Sequence, residues 1–306
     1  MRAKWLMRTT VSVAAILATV SASAKSMVEV HTSDVKNFYR LYDAAHGAPS
    51  AGVLQRDYIN SGTDGVRQFV PYRIISGDAL AKEISKERAV YDQARSCMNA
   101  LPQVKNKLKG AFRRLAKLDP QATFSAVTIL VGRNNSGGTT GKSGVLIGLE
   151  VVCRSSWLQA NLVDRLYHLI AHEFGHVEQS PALEEGSDNT TVLKQALIEG
   201  VAELVGELTS GQVSNVHLQI WTAGHATEID ARFLVDSDKK DISGWLYNGV
   251  GTPEHPGDLG YWVGYRIAKA FYSNAQDKRA ALRTLLDLKD PKAILAASGW
   301  RPGKVS

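Results

Sequence analysis

His172-Glu173-Phe174-Gly175-His176 is the pattern in this chain best suited to chemistry, an H-E-x-x-H. On a helix, His172 and His176 are i and i+4, so both imidazoles leave one face about one turn apart. That spacing suits two nitrogen ligands on one Zn²⁺. Glu173 lies about 100° round the helix from His172. From there its carboxylate can reach a water on the metal without being a ligand. The bland account is a pair of satisfied core histidines. It leaves two imidazoles and a carboxylate in a nearly continuous apolar run with nothing to neutralise them, which costs several kcal/mol. A cation removes that cost.

A catalytic zinc site needs a third protein ligand and one open position. The metzincin pattern would put glycine at 179 and histidine at 182, but Gln179 and Ala182 stand there, and no inverted H-x-x-E-H is present. The segment VLKQALIEGVAELVGEL, residues 192–208, offers Glu199 and Glu203 one turn apart among Leu197, Ile198, Val201, Ala202, Leu204 and Val205. Carboxylates in such surroundings need a partner. Glu199 follows His176 by 23 residues, enough for a loop and a return helix antiparallel to the first. Glu203 can then accept a hydrogen bond from the far nitrogen of a ligand histidine and fix its tautomer. The two glutamates could exchange roles. Both could also face solvent beside Lys194, an arrangement their apolar neighbours argue against. His168, one turn before His172, reads as support or core rather than as a fourth ligand.

The elements that must position these groups follow from periodicity. Leu166, Leu169, Ile170 and Val177 predict a buried helix over 162–177. Thr190 or Thr191 caps the helix from Val192 to Leu208, which Gly211 ends. Upstream, Thr123–Val131 and Gly144–Val152 are apolar and β-branched and read as strands. Between them, GRNNSGGTTGKSG tempts towards a phosphate loop, but Ser136 occupies a required glycine position and a strand follows instead of a helix. A glycine-rich hairpin loop is the better reading. Residues 25–119 predict helices, among them one through Ala45 with Val35, Phe38, Tyr39 and Tyr42 on one face, and a basic amphipathic one at Lys105–Lys117. Further helices are expected at Ala226–Val235, after Asp258, and from Asp290-Pro291.

Composition is that of an ordinary globular chain: 306 residues, 44% hydrophobic and 22% charged. Arg2, Lys4 and Arg8, the apolar run Val11–Val20 and Ala22-Ser23-Ala24 read as a cleavable export signal over 1–24. Its loss lowers the net charge from +6 to +3, since three basic residues leave with it. No basic cluster with interleaved aromatics is present, which argues against nucleic acid as a partner. No later stretch is long and apolar enough for stable membrane insertion. Two cysteines, Cys97 and Cys153, in an exported chain suggest one disulfide.

HEFGH followed by IEGVAE resembles the gluzincin metallopeptidases, in which a glutamate in an E-G-x-A context on the next helix is the third ligand. The resemblance implies ligand roles for His172, His176 and Glu199 and a base role for Glu173. More closely, the chain resembles a bacterial family of predicted zinc-dependent proteases, formerly classed as a domain of unknown function. The similar stretches are FYRLYDAA, GRNNSGGTTGKSGVLIGLE, the two metal helices and GYWVGYRIAKAFY. The implied protein is α+β and mostly helical. It has a signal peptide (1–24), a helical N-terminal region (25–119) and a zincin-like core (120–306) with a small antiparallel sheet beside the H-E-x-x-H helix.

The expected activity is peptide hydrolysis by a zinc-activated water, with Glu173 as general base and a peptide or protein as substrate. Gluzincins often add a downstream tyrosine or histidine as oxyanion donor. Tyr261 is preferred here over Tyr265, its i+4 neighbour, with His255 as an outsider; core packing is the plain alternative for either tyrosine. The strand Gly144–Val152 could pair with an extended substrate, and Glu150 at its end could bind a free amine. A periplasmic or secreted location follows from the signal. The rival reading is a non-catalytic zinc protein acting as a binding module, its fourth position filled by His168 or Glu203.

Overall fold

Aromatic spacing makes the first helix amphipathic, and that helix opens the fold. The computed structural model describes residues 28–181, 183, 190–249 and 251–303, so the expected export signal lies outside the described residues. A short strand β1 (Val30–His31) leads into α1 (Ser33–Ala44), which buries Val35, Phe38, Tyr39 and Tyr42. Asp34 does not cap it. Its carboxylate accepts instead from the Thr63 amide and hydroxyl. Next come α2 (Ala51–Val53) and α3 (Asp64–Phe69), each running on into a π-helical turn, Leu54–Ile59 and Val70–Ile74. Then follow α4 (Gly77–Lys86), α5 (Arg88–Cys97) and α6 (Leu101–Leu118). The basic stretch of α6 is the outer side of a helix that buries Leu101, Val104, Leu108, Ala111 and Leu115.

The sheet has the order β1-β2-β4-β3, with β2 at Val127–Leu130, β3 at Gly138–Gly141 and β4 at Gly144–Gly148. It is mixed, which corrects the expected antiparallel sheet: β2 pairs in parallel with both β1 and β4, and only β3 and β4 are antiparallel. The two predicted strands are not hairpin partners. The glycine-rich stretch between them is long enough for a parallel crossover, and it carries a strand of its own built around Thr139 and Thr140. A tight turn at Lys142-Ser143 then reverses the chain, with Gly144 in the left-handed region at φ +104°.

The second predicted strand is also too long. After Gly148 the chain turns into α7 (Leu149–Arg154). A short apolar run such as LIGLEVV fits either a buried strand or a buried helix, and period cannot separate them. The Cys97–Cys153 disulfide, with Cα atoms 6.2 Å apart, fastens α7 to α5.

The remaining helices are α8 (Leu162–Glu178), α9 (Val192–Ser210), α10 (Val216–Thr222), α11 (Ala226–Asp236), α12 (Leu259–Asn274), α13 (Lys278–Asp287) and α14 (Pro291–Ser298). Asn161 caps α8 and Thr191 caps α9 through their side chains, and Gly211 ends α9 at φ +93°. α9 is the hub, packed on α8 and α12 and touched by α6. Two glycines set its spacing. A Cβ on Gly175 would meet Ala202 Cα at 2.5 Å, and one on Gly200 would meet the Gly264 carbonyl carbon at 2.0 Å. No helix of the described residues is long and apolar enough to cross a membrane.

Candidate metal centre

The close approach of α8 and α9 brings three potential ligand atoms together. His176 Nε2 lies 3.2 Å from His172 Nε2 and 3.2 Å from Glu199 Oε2, and His172 Nε2 is 3.5 Å from the same oxygen. Donors on a tetrahedral ion with bonds of about 2.0–2.1 Å are separated by about 3.3 Å. All three side chains are buried. Among the described residues, these three form the one histidine, cysteine or carboxylate group able to hold a metal.

The outer partners fix what the inner atoms offer. Gln179 Nε2 donates to the Ile198 carbonyl at 2.6 Å, so its Oε1 must face His176 Nδ1, 2.9 Å away. Nδ1 therefore carries the hydrogen, and Nε2 turns a lone pair inward. Glu203 Oε1 lies 3.3 Å from His172 Nδ1 and favours the same tautomer there. Glu203 is itself held by the Ser214 amide and hydroxyl and by Asn215 Nδ2. With both rings neutral in this tautomer, two lone pairs and a carboxylate oxygen converge on one point.

The electrostatics agree. Burial opposes the His172 imidazolium, yet Glu203 and then Glu199 outweigh it and hold its pKa well above the ordinary value. Burial likewise opposes charge on Glu199, but His176 and His172 keep its carboxyl well below the usual range. The site is built to hold positive charge, and its nitrogen and oxygen donors fit zinc.

Glu199 has a further partner that the sequence did not reveal. Tyr247 donates its hydroxyl to Glu199 Oε1 at 2.6 Å and accepts from Gln195 Nε2 at 2.8 Å. Tyr247 comes from the loop before α12 and has φ +56°. No local signal links it to a residue so far upstream. Gln179 was legible in principle, since it follows His176 by one helical turn. Tyr247→Phe should weaken zinc affinity by about 10- to 100-fold, the usual cost of removing an outer hydrogen bond at a metal site. Competition against a chromogenic chelator measures it. Unchanged affinity would show that Glu199 is held without Tyr247.

Glu173 is absent from the ligand cluster and lines an open cleft of about 230 Å³ beside it, with Gly138, His172 and Tyr261 also on the wall. A Cβ on residue 138 would lie 2.3 Å from Glu173 Oε1, so a side chain there would displace the carboxylate from its present position against the strand. Tyr261 sits at the site with its ring near-parallel to that of His172, centroids 6.1 Å apart. Tyr265 does not: its hydroxyl accepts from Lys269 Nζ, and it faces a different hollow. His255 is exposed in a loop outside the cleft. His168 Nδ1 meets Ser210 Oγ at 2.7 Å, apart from the ligand cluster. Asp258 precedes α12 without capping it through its side chain. It is in the left-handed region, and its carboxylate accepts from the Asn248 amide.

Two sequence expectations about substrate contacts fail on topology. β4 lies between β2 and β3 and has no free edge; the edge strand facing Glu173 is β3. Glu150 is wholly buried in the first turn of α7, accepting from the Gly132 and Asn134 amides at 3.0 and 3.1 Å, and so is closed to a substrate amine. Burial pushes its pKa from 4.5 up to about 7, against the pull of those amides. The folded state therefore favours the protonated form, and stability should fall as pH rises from about 4.5 to about 7. The drop should be of the order of 3 kcal/mol. Glu150→Gln should flatten that stretch of the denaturation-midpoint profile, and an unchanged slope would assign it to other groups.

These features define a mostly helical α+β protein with a buried two-histidine, one-glutamate cation site beside an open cleft. A family profile described as predicted Zn-dependent protease matches residues 106–292, more than half of the chain, and the protein belongs to that family. The matched span runs from α6 to α14 and contains the whole cluster. Zinc is its cofactor. No curated protein and no solved structure matches the chain.

Proposed function

We propose that the protein is a gluzincin-like zinc peptidase with a zincin-like core, exported by its N-terminal signal. The observation that carries the reading is the convergence of His172 Nε2, His176 Nε2 and Glu199 Oε2 within 3.2–3.5 Å, with His172 reaching the wall of a cleft that Glu173 also lines. The Cys97–Cys153 disulfide fits an oxidising compartment.

His172, His176 and Glu199 would hold the zinc, which would supply a water of lowered pKa and a Lewis acid for a carbonyl oxygen. The chain supplies the rest. Glu173 takes the proton of the attacking water and passes it to the leaving amine. Its nearness to β3 sets its carboxylate against one side of the cleft. β3, as an edge strand, offers backbone groups to an extended peptide. Tyr261 donates its hydroxyl to the oxyanion that develops on the scissile carbonyl. Glu203 and Gln179 keep the two imidazoles in the required tautomer.

The rival reading, a zinc-binding module without catalysis, needs a fourth protein ligand. Glu203 has its oxygens engaged by Ser214 and Asn215, and His168 is engaged by Ser210, so neither is drawn to that position. A diverse peptide library incubated with the zinc-loaded protein tests the proposal, and intact peptides throughout would overturn it. Within an active preparation, Tyr261→Phe should lower kcat by about 10²-fold with little change in KM, because an oxyanion donor acts mainly in the transition state. A neutral Tyr261→Phe would move that role elsewhere.

A further inference from the structure

The catalytic cleft does not end at the metal centre. Three chain segments line it at one end and leave it at the other. Residues 155–160 carry Ser155 and Leu158 on the cleft, then Leu158 again and Trp157 on a second hollow. Residues 214–221 run from Ser214 and Asn215 on the cleft to Val216, Ile220 and Trp221 on the hollow. The loop before α12 runs from Pro256 on the hollow to Asp258 on the cleft. Leu158 is common to both. The hollow is about 540 Å³, within the range of pockets that bind small ligands.

Its wall is mainly apolar. Trp157, Leu158, Val216, Ile220, Trp221 and Pro256 supply that surface, Ser156, Gln159 and His217 are its polar members, and among the described residues no carboxylate, lysine or arginine lines it. The one titratable member, His217, packs edge-on against Trp157 with centroids 5.0 Å apart. Burial pushes its pKa down to about 4, so it is neutral at ordinary pH. The walls are also fixed in advance. Trp221 donates its Nε1–H to the Glu254 carbonyl at 3.1 Å and stacks on His225. The loop carrying Pro256 is closed by mutual backbone hydrogen bonds between Thr252 and His255. Such a wall needs little ordering when an apolar group arrives. Ile220 stands at 73% exposure on it, an apolar side chain left in water with no packing role of its own.

We infer that this hollow is the specificity pocket of the enzyme, and that it takes a bulky apolar side chain, aromatic or branched aliphatic, of the peptide lying in the cleft. The inference rests on the peptidase reading for its occupant. An acidic or basic side chain would lose its hydration there without gaining a counter-charge. A glycine or alanine would leave the aromatic walls wet.

The test has a cleavage arm and a binding arm. In the first, the zinc-loaded protein is given a series of quenched fluorogenic peptides that vary one position at a time among Phe, Leu, Ala, Lys and Asp. One fixed position relative to the cut should favour Phe and Leu over Lys and Asp by at least about 10-fold in kcat/KM. Ile220→Asp, at an exposed site where folding is not at stake, should erase that preference. In the second arm, the Glu173→Gln protein is titrated with the same peptides and read by tryptophan emission. Phe and Leu peptides should bind about 10-fold tighter than Asp peptides, and Ile220→Asp in that background should remove the difference. Cleavage without side-chain preference, or a preference untouched by Ile220→Asp, overturns the pocket and leaves the peptidase standing. Selective binding with no turnover of any peptide by the zinc-loaded wild type overturns the peptidase reading and leaves the pocket standing. Equal binding of all peptides overturns the pocket outright.

Discussion

Glu173→Gln should leave zinc content and fold intact while hydrolysis falls by at least about 10²-fold, the usual scale for loss of a general base. The substitution keeps the length and hydrogen-bonding reach of the side chain. It removes only the ability to take a proton near neutral pH. Glu173 is outside the ligand cluster, so metal affinity has no reason to change. Gly138 packs against its carboxylate, and an amide of the same shape fits that contact. Elemental analysis, circular dichroism and turnover on one cleaved peptide together measure the outcome. Full activity of Glu173→Gln, on a substrate whose cleavage still requires zinc, would disprove the mechanism with the metal site still right. Zinc lost from this variant would instead make Glu173 a ligand.

His172→Ala should fail in the opposite way. Wild type is expected to hold about one zinc per chain, and this variant should hold none after dialysis. Removing the imidazole takes a ligand from the cluster. It also takes from Glu203 the main partner, and from Glu199 one of two, that hold their pKa values low. Breaking a buried charge pair on one side costs about 3–5 kcal/mol, and the stabilisation from bound metal is lost in addition. A clearly lower melting temperature is expected, with stripping by a chelator moving wild type towards the variant but not the reverse. Because the buried carboxylates can take up protons as pH falls, the penalty should shrink in acid. Stoichiometric zinc in His172→Ala would remove His172 from the ligand set and the cluster with it.

These two results separate roles that adjoin in the chain. On the proposed mechanism one turn of helix carries a ligand, a base and a second ligand, and each should fail with its own signature. Tyr261 and Tyr265 differ in the same spirit. At i and i+4 they share a helix face, yet one stacks near His172 while the other meets Lys269. Helical spacing states that two residues share a face but not what each meets along it.

The legible part of this protein is the part that repeats locally. H-E-x-x-H spacing, the apolar periodicity of 162–177 and 192–208, the cap at Thr191 and the stop at Gly211 each depend on residues within one or two turns. Those local rules singled out His172, Glu173 and His176 and left Glu199 and Glu203 as exchangeable candidates for a third ligand, because a buried polar group in an apolar helix must have a partner. The order of the sheet was not legible. Parallel or antiparallel pairing of β2 and β4 depends on how the intervening chain crosses, and LIGLEVV is compatible with strand or helix until its neighbours are known. The assignment of Glu199 to the inner face and Glu203 to the outer one required the actual rotation of α9 against α8, which close packing at Gly175 and Ala202 sets. Tyr247, the β3 edge beside Glu173 and the apolar hollow beyond Leu158 were likewise decided only in three dimensions. Each joins residues far apart in sequence, and contacts of that kind are fixed by the packing of whole elements, for which no single stretch of chain carries the information.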